Sequence, residues 1–433
     1  MHNRPGSGNP SPLVPLGYLV CAAGAFLAAA PGIAWLAPEL AGHYYHPRLL
    51  ALTHDVTLGW ITVAIMGASY QLIPIVLGRR IWSERLARWQ LVILVAAVTG
   101  MVTHFYRGTW LGLGAAAALL AIGIAMHIVN VAVSLRGVTQ WTFTGRMLAL
   151  GYGGLAMTTL FGLTLATNHA RPFLPGEFFP VLHAHVQLAL LGWVAPMIFG
   201  VAARVLPMFL LAPEARGFTA RLQLWGLAAG TPLIVLGLLA SPTLLVVGAL
   251  ATATAAGSHA AMVIEMVRSR KRPRLDWGLR FVLTAPGFLL PAIGLGILLA
   301  TGLVAGPRFA LAYAAVALGG WVSLTIVGMM LKIAPFLVWY HVYSPRVGRE
   351  RIPTLAQLSW PRVEGLAYAL LVSGLVLLAI AVLAGDVVWI RVAGTILALG
   401  AAAFALALAR VLSHLHSAPS ALVEIPARAG LRS

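Results

Sequence analysis

Long apolar runs, separated by short polar connections, dominate the chain. Each run is about as long as the roughly 20 residues that a helix needs to cross the hydrocarbon core of a bilayer. The pattern predicts twelve membrane-spanning helices and leaves no room for a soluble domain between them. The predicted spans cover approximately residues 13–37, 49–77, 89–106, 109–135, 142–167, 179–212, 221–240, 243–267, 279–303, 309–339, 363–385 and 388–412.

Composition and charge place these helices in a membrane. Of 433 residues, 60% are hydrophobic and only 9% are charged, which predicts an all-α polytopic membrane protein. The net charge of +18 would suggest nucleic acid as the partner of a soluble protein, but here the basic residues collect in the tails and in alternate loops. The positive-inside rule therefore predicts a multi-pass protein of the bacterial cytoplasmic membrane with both termini in the cytoplasm. The expected partner is the lipid bilayer and not nucleic acid.

Several common sites are excluded by the sequence. Cys21 is the only cysteine, so an internal disulfide, a CxxC pair and a CxxCH attachment of c-type haem are all ruled out. A phosphate-binding loop is also missing, which leaves ATP-driven transport without support. The basic cluster at 268–274 is best interpreted as a topology anchor that faces anionic lipid.

One signature recurs in spans 2, 6 and 10: Gly-Trp, six residues, Gly, six residues, Pro. Its positions are Gly59, Trp60, Gly67 and Pro74, then Gly192, Trp193, Gly200 and Pro207, then Gly320, Trp321, Gly328 and Pro335. This register predicts one transmembrane domain, residues 1–433, built from three pseudo-symmetric four-helix repeats at about 13–135, 142–267 and 279–412. Because residues seven apart share one helix stripe, the glycines and prolines are interpreted as sites of close packing and kinking.

Three histidines precede the Gly-Trp pairs near the predicted periplasmic ends of their spans. His54 lies six residues before Trp60, whereas His185 and His183 lie eight and ten residues before Trp193. The last two are about 200° apart on a helix and point to nearly opposite sides, so they cannot chelate one ion together. Each imidazole is either a ligand of a metal or haem, or a side chain that bonds a backbone carbonyl or interfacial water.

Two more histidines occupy equivalent, deeper places. His127 in span 4 and His259 in span 8 follow the Trp of their repeats by 67 and 66 residues, and Phe404 stands at the matching depth of span 12. Such buried histidines could ligate haem iron or carry protons. A packing role with satisfied hydrogen bonds explains them equally well.

The position eleven residues after each Trp is always polar: Gln71, Arg204 and Lys332. Snorkelling toward the basic side of the membrane explains the two cations and is the favoured interpretation. The alternative is that Arg204 and Lys332 neutralise an anion in the inner half of the membrane, such as a haem propionate or a substrate carboxylate.

The sequence HAH at 183–185, followed by LLGWV, Gly200 and Pro207, resembles the tenth-helix signature of subunit I of haem-copper oxidases, particularly the cbb3-type oxidase and nitric oxide reductase branch. The resemblance implies that family's twelve helices in three four-helix arcs. It also implies a b-type haem, with His54 in the place of the low-spin haem ligand and with Trp60 and Trp193 walling the pocket. Haem or metal ligands, copper included, would be sought among His54, His183 and His185. A looser resemblance links the chain to NnrS-like haem- and copper-containing membrane proteins.

The chain departs from this family at the oxygen-reducing centre. Gln187, not a histidine, stands six residues before Trp193, and Tyr313 and Ala315 stand where the family puts two haem ligands. No two histidines are adjacent in the sequence. The usual ligand set of the binuclear centre is therefore incomplete.

Two functions follow as hypotheses. The first is a divergent haem-copper-oxidase-like haem protein in electron transfer or in oxygen or nitric oxide chemistry, with a periplasmic cytochrome c or copper protein as its redox partner. Whether it is an oxidoreductase is left open. The alternative is a non-redox transporter or scaffold that keeps the fold without metals. The feature that discriminates between them is whether His54 and His185 face one cavity of haem size.

Overall fold

The computed structural model describes residues 11–174, 178–214 and 217–416, and these residues form helices and connecting loops without any strand. Twelve of the helices are long and apolar enough to cross a membrane, which confirms the predicted fold class and the number of spans. They are α1 (Leu13–Trp35), α2 (Pro47–Leu77), α3 (Glu84–Arg107), α4 (Trp110–Ser134), α5 (Phe143–His169), α6 (Phe178–Leu210), α7 (Phe218–Ala240), α8 (Pro242–Arg268), α9 (Trp277–Ala300), α10 (Pro307–Val342), α11 (Pro361–Ala384) and α12 (Val387–His416).

Helix α3 shows why a boundary differs from its prediction. It begins at Glu84, earlier than the apolar run, because the Ser83 hydroxyl accepts a hydrogen bond from the Leu86 amide at 3.1 Å. This N-cap satisfies a backbone donor that the first helical turn leaves unpaired. The polar first turn is therefore helical although hydropathy alone does not include it.

Helices α2, α6 and α10 form the centre of the bundle. In their most apolar stretches 78%, 67% and 67% of the residues are buried inside the protein, whereas the other nine helices bury half or fewer. Helices that are apolar on all sides belong either in a protein core or against lipid. Burial thus separates three inner helices from an outer ring that faces the bilayer.

Helices that follow one another along the chain pack together. Each of α1 to α11 contacts the next helix, and α12 packs against α1 and closes the ring. The three predicted repeats are therefore neighbours around this ring.

Each Gly-Trp pair lies in a π-helical segment of a central helix. The segments are Asp55–Thr62 in α2, Leu188–Val194 in α6 and Ala315–Ser323 in α10. A π-helical turn holds more residues than an α-helical turn, so it rotates the residues before it relative to those after it. Such turns frequently mark functional positions.

The second glycine of the motif is a point of close helix approach. A methyl group on Gly67 would lie 2.5 Å from the Tyr18 Cβ of α1, and one on Gly200 would lie 2.6 Å from the Met147 Cβ of α5. At Gly328 it would lie 2.5 Å from a backbone oxygen of α9. Each motif therefore packs a central helix directly against the first helix of its own group of four.

Hydrogen bonds between motif residues link the central helices to one another. Trp60 Nε1 donates to Ser323 Oγ at 3.0 Å, and Trp193 Nε1 donates to Thr62 Oγ1 at 3.3 Å. In both pairs the acceptor stands two residues after the Trp of the neighbouring central helix. The third such position is Ala195, which has no side-chain acceptor. Two of the three possible indole hydrogen bonds between neighbouring central helices are therefore formed, and together they are called the ring of bonds below.

Exposed tryptophans mark both ends of the outer surface. Trp35, Trp110 and Trp389 lie at the end that the basic residues predict to face the periplasm, here called the outer end. Trp82, Trp89, Trp225 and Trp360 lie at the opposite, inner end. Indole rings concentrate at the two interfaces of a bilayer, so this distribution supports a lipid environment.

Replacement of Ser323 by alanine tests the ring of bonds, because it leaves the fully buried Trp60 indole without its acceptor. We expect S323A to lower the free energy of unfolding by about 1–2 kcal/mol. Thermal unfolding in detergent measures the change. The matched control is S373A, since the exposed Ser373 hydroxyl bonds the Ala369 and Leu370 carbonyls of its own helix. Equal melting temperatures for the two variants would contradict this assignment.

Candidate functional site

A cavity of about 740 Å³ lies along both flanks of α6 and reaches the outer end. We call the part that is lined by α2 to α6 the first arm, and the part that is lined by α6 to α10 the second arm. Among the described residues that line it, none is an Asp, Glu, Lys or Arg. An apolar cavity of this size with a few polar side chains is the usual form of a site for a small molecule or cofactor.

His54 lines the first arm at the junction of α2 with its π-helical segment. Its Nδ1 lies 2.7 Å from the Leu50 carbonyl oxygen, and its ring stacks on Phe105 with centroids 4.6 Å apart. A carbonyl oxygen only accepts hydrogen bonds, so Nδ1 carries the hydrogen and Nε2 carries the lone pair. The imidazole is thereby oriented as a ligand that donates through Nε2.

His185 lines the same arm from α6. Its Nδ1 lies 3.0 Å from the Thr158 carbonyl oxygen of α5, which again leaves the lone pair on Nε2. The ring lies against Gly162, where an added methyl group would stand only 3.1 Å from the His185 Cε1. The glycine in α5 therefore makes room for the imidazole.

The two imidazoles form the polar core of the first arm. They line one cavity and are close enough to interact electrostatically. A ring whose N–H bonds a backbone carbonyl while its other nitrogen is a free lone pair is the arrangement typical of metal-ligating histidine. The described residues contain no group of three His, Cys, Asp or Glu that could hold a metal ion. Axial ligation of haem needs only one or two side chains.

His183 points away from this pair, toward the loop between α1 and α2. Its Nε2 lies 2.9 Å from the Tyr44 hydroxyl, and the neighbouring Tyr45 hydroxyl lies 3.1 Å from the His169 Nε2. Burial raises the pKa of both phenols, so the hydroxyls stay protonated at neutral pH, and each can donate to the histidine nitrogen or accept from it. The Nε2 of His183 is therefore engaged at the mouth of the cavity.

The deeper pair, His127 and His259, lies outside the described cavity lining. The His127 Nε2 is 3.4 Å from the Tyr152 hydroxyl, and His259 stacks on Phe199 with centroids 4.0 Å apart. In both rings Nδ1 is buried without a hydrogen-bond partner among the described residues. The structure does not join either of them to His54 and His185 in one site.

The two tryptophans have different surroundings. Trp193 lines the cavity, as predicted for a pocket wall. Trp60 is not among the lining residues; it stacks on Phe26, with centroids 4.6 Å apart, and also contacts Phe404. These three rings pack together between α1, α2 and α12. Trp60 is thus a core residue of the first and last repeats.

Arg204 also lies outside the cavity lining. Its half-exposed guanidinium forms an ion pair with Glu214, and Lys332 Nζ lies 2.6 Å from the Asp276 carboxylate. Both cations therefore find carboxylates of the chain itself at the inner end. This geometry favours snorkelling over the neutralisation of a cofactor in the cavity.

A polar network in the first repeat was missed from the sequence. Tyr70 donates to Gln90 Oε1 at 2.8 Å, Tyr18 bonds the same oxygen, and the Asn130 amide donates to the Ser83 carbonyl at 2.8 Å and to the Tyr70 hydroxyl at 3.3 Å. All but Ser83 are buried. The available signal was the presence of Gln90 and Asn130 in otherwise apolar runs, since buried amides require partners.

Comparison with known proteins gives little further information. No protein-family model matches the chain. One curated protein, aquaporin FA-CHIP of Pelophylax lessonae, is 29% identical over 148 residues. The match covers 34% of this chain and 40% of the aquaporin, so the chain spans well under half of that relative. At this identity and coverage the similarity does not assign the chain to a family.

Proposed function

We propose that the protein is a membrane haem protein that holds a b-type haem in the first arm through His54 and His185. The observation that carries the proposal is the pair of Nε2 lone pairs in one apolar cavity, each fixed by a carbonyl bond on the opposite nitrogen. Neutral imidazoles in this tautomer are the form that binds iron.

The lining of the cavity fits the ring of a haem, and the two propionates would have to point to the open outer end, since no Lys or Arg is among the described lining residues. The cavity has about 740 Å³ over its two arms together, and its walls are mainly aliphatic and aromatic. Trp193 supplies a flat apolar surface at its inner part. A bound haem would supply one-electron transfer and, if only one side chain held the iron, the binding of oxygen or nitric oxide.

The residues of the chain have separable roles in this proposal. The carbonyls of Leu50 and Thr158 hold the two rings in one tautomer and make each Nε2 a stronger base. Phe105 fixes the plane of the His54 ring, and apolar walls exclude water from it. Ligation by both histidines would make an electron carrier, whereas ligation by one would leave a site for a small gas.

The location of the arm suggests the direction from which electrons arrive. It reaches the outer end, which the basic residues predict to face the periplasm of a bacterial cytoplasmic membrane, with both termini in the cytoplasm. A periplasmic cytochrome c or copper protein is therefore the proposed redox partner. Copper in the chain itself would need His183, whose Nε2 is already hydrogen-bonded to the Tyr44 hydroxyl.

The alternative function is a transporter or scaffold without metals, and the partial similarity to an aquaporin bears on it. The space between the inner halves of α2, α6 and α10 is a cavity of about 80 Å³ lined almost entirely by apolar residues. The hydroxyls of Ser69 and Thr325 in it bond carbonyls of their own helices. A path for water or ions needs polar groups along its length, so this axis gives transport little support.

The deciding experiment is a reduced-minus-oxidised spectrum with a pyridine haemochrome assay on protein expressed with ample haem. We expect a b-type spectrum in the wild type, and a haem content at least several-fold lower in H54A and H185A because each loses an axial ligand. The control is H341A, since His341 lies at the inner end of α10. Absence of haem from the wild type, with no copper by elemental analysis, would refute the proposal and leave the transporter or scaffold.

A second test uses the close contact between Gly162 and His185. We expect G162V to displace the imidazole and lower haem content or shift the reduced spectrum, because its side chain would occupy the space of the ring. The matched control is G153V on the same helix, where an added Cβ would meet nothing within 4 Å. Unchanged spectra in both variants would argue against His185 as a ligand.

A further inference from the structure

The second arm of the cavity holds a polar pair that is equivalent by position to the histidine pair of the first arm. His54 is six residues before the Trp of α2, and His185 is eight residues before the Trp of α6. At the same distances before the Trp of the next central helix lie Gln187, six residues before the Trp of α6, and Tyr313, eight residues before the Trp of α10. Both line the cavity, and the Tyr313 hydroxyl donates to Gln187 Oε1.

The third pair of equivalent places is apolar, with Ala315 in α10 and Leu52 in α2. Phe26, Trp60 and Phe404 pack together between the last and first repeats, whereas the corresponding regions of the first two repeats contain the arms of the cavity. Both members of each polar pair line the cavity, whereas of the apolar pair only Leu52 does. This coincidence indicates that the Gln187–Tyr313 pair serves a ligand.

The geometry of the pair leaves hydrogen-bonding capacity for that ligand. The oxygen atoms of Tyr313 and Gln187 are 3.4 Å apart, which is longer than the roughly 2.7–2.8 Å of a typical O–H···O bond. The Gln187 amide also has two hydrogens to donate, and the phenol oxygen can accept as well as donate. An oxygen atom placed beside the pair can therefore bond both side chains.

The rest of the second arm restricts the ligand to a neutral and mainly apolar molecule. Leu227, Ile234, Leu289 and Ile293 are among its walls, and the Thr252 hydroxyl bonds the carbonyls of its own helix. No charged side chain is present among the described lining residues. A charged ligand would lose its hydration without compensation in such surroundings.

We propose that the second arm binds a lipid-soluble ring of the quinone class, with Gln187 and Tyr313 bonded to one ring oxygen. Each side chain both donates and accepts, so the pair can bond the carbonyl of a quinone and the hydroxyl of a quinol. The apolar walls suit the ring and its hydrocarbon tail. The site is distinct from the histidine pair and does not require bound haem.

Photolabelling of the purified full-length protein tests the proposal, with an azido-substituted ubiquinone as probe and decylubiquinone as competitor. We expect competed labelling in peptides of α6 and α10, and roughly a tenfold loss of it in the double variant Q187L/Y313F, which removes both polar partners. The matched control is Y340F, because Tyr340 lies near the inner end of α10 and stacks on Phe336. Thermal unfolding establishes that the double variant is folded.

Labelling is repeated on H54A/H185A to separate this site from the haem site. Retained labelling in that variant supports a second site even if the protein binds no haem. Loss of labelling there would show that the probe occupies the first arm, and would overturn the proposal. Labelling of α6 and α10 that Q187L/Y313F does not reduce, or that decylubiquinone does not compete, would overturn it as well.

Discussion

Close packing of three central helices is the constraint on which the rest of the structure depends. In a bilayer, burying an apolar side chain against another helix gains little over leaving it against lipid, so shape and hydrogen bonds must hold the helices together. The motif glycines supply the shape at Gly67, Gly200 and Gly328, and the indoles of Trp60 and Trp193 supply bonds across the axis. The cavity arms lie toward the outer end, where the same helices diverge around larger spaces.

The three repeats share a backbone arrangement, but they differ in what occupies equivalent places. The first encloses two imidazoles, the second an amide and a phenol, and the third is packed with aromatic rings. Function in such a fold lies in the side chains and not in the scaffold. Side chains at a few equivalent places thus distinguish a cavity lined by imidazoles, a cavity lined by an amide and a phenol, and a packed core.

The number of helices, and the two histidines that share the first arm, could be predicted from hydropathy and from the spacing to the Trp residues. That Trp60 and His127 lie outside the cavity lining could not be predicted in this way. In an ideal helix, positions seven apart lie within about 20° of each other, but the segment Asp55–Thr62 is π-helical and changes that angle. Which side of a helix faces a cavity also depends on the neighbouring helices, and their rotation leaves no signal in a single sequence.

The missing acceptor at Ala195 has a mechanical consequence. The α2–α10 and α2–α6 contacts are each fixed by an indole bond, whereas at the same level α6 and α10 meet through the Phe199 and Trp321 rings, 5.9 Å apart. Such ring contacts constrain orientation less sharply than a hydrogen bond does. At this level the seam between α6 and α10 is thus held less tightly than the other two, although the Tyr313–Gln187 bond joins the same two helices nearer the outer end. Because the seam borders the second arm, a small shift of α10 against α6 changes the shape of that arm while the indole bonds of α2 stay in place.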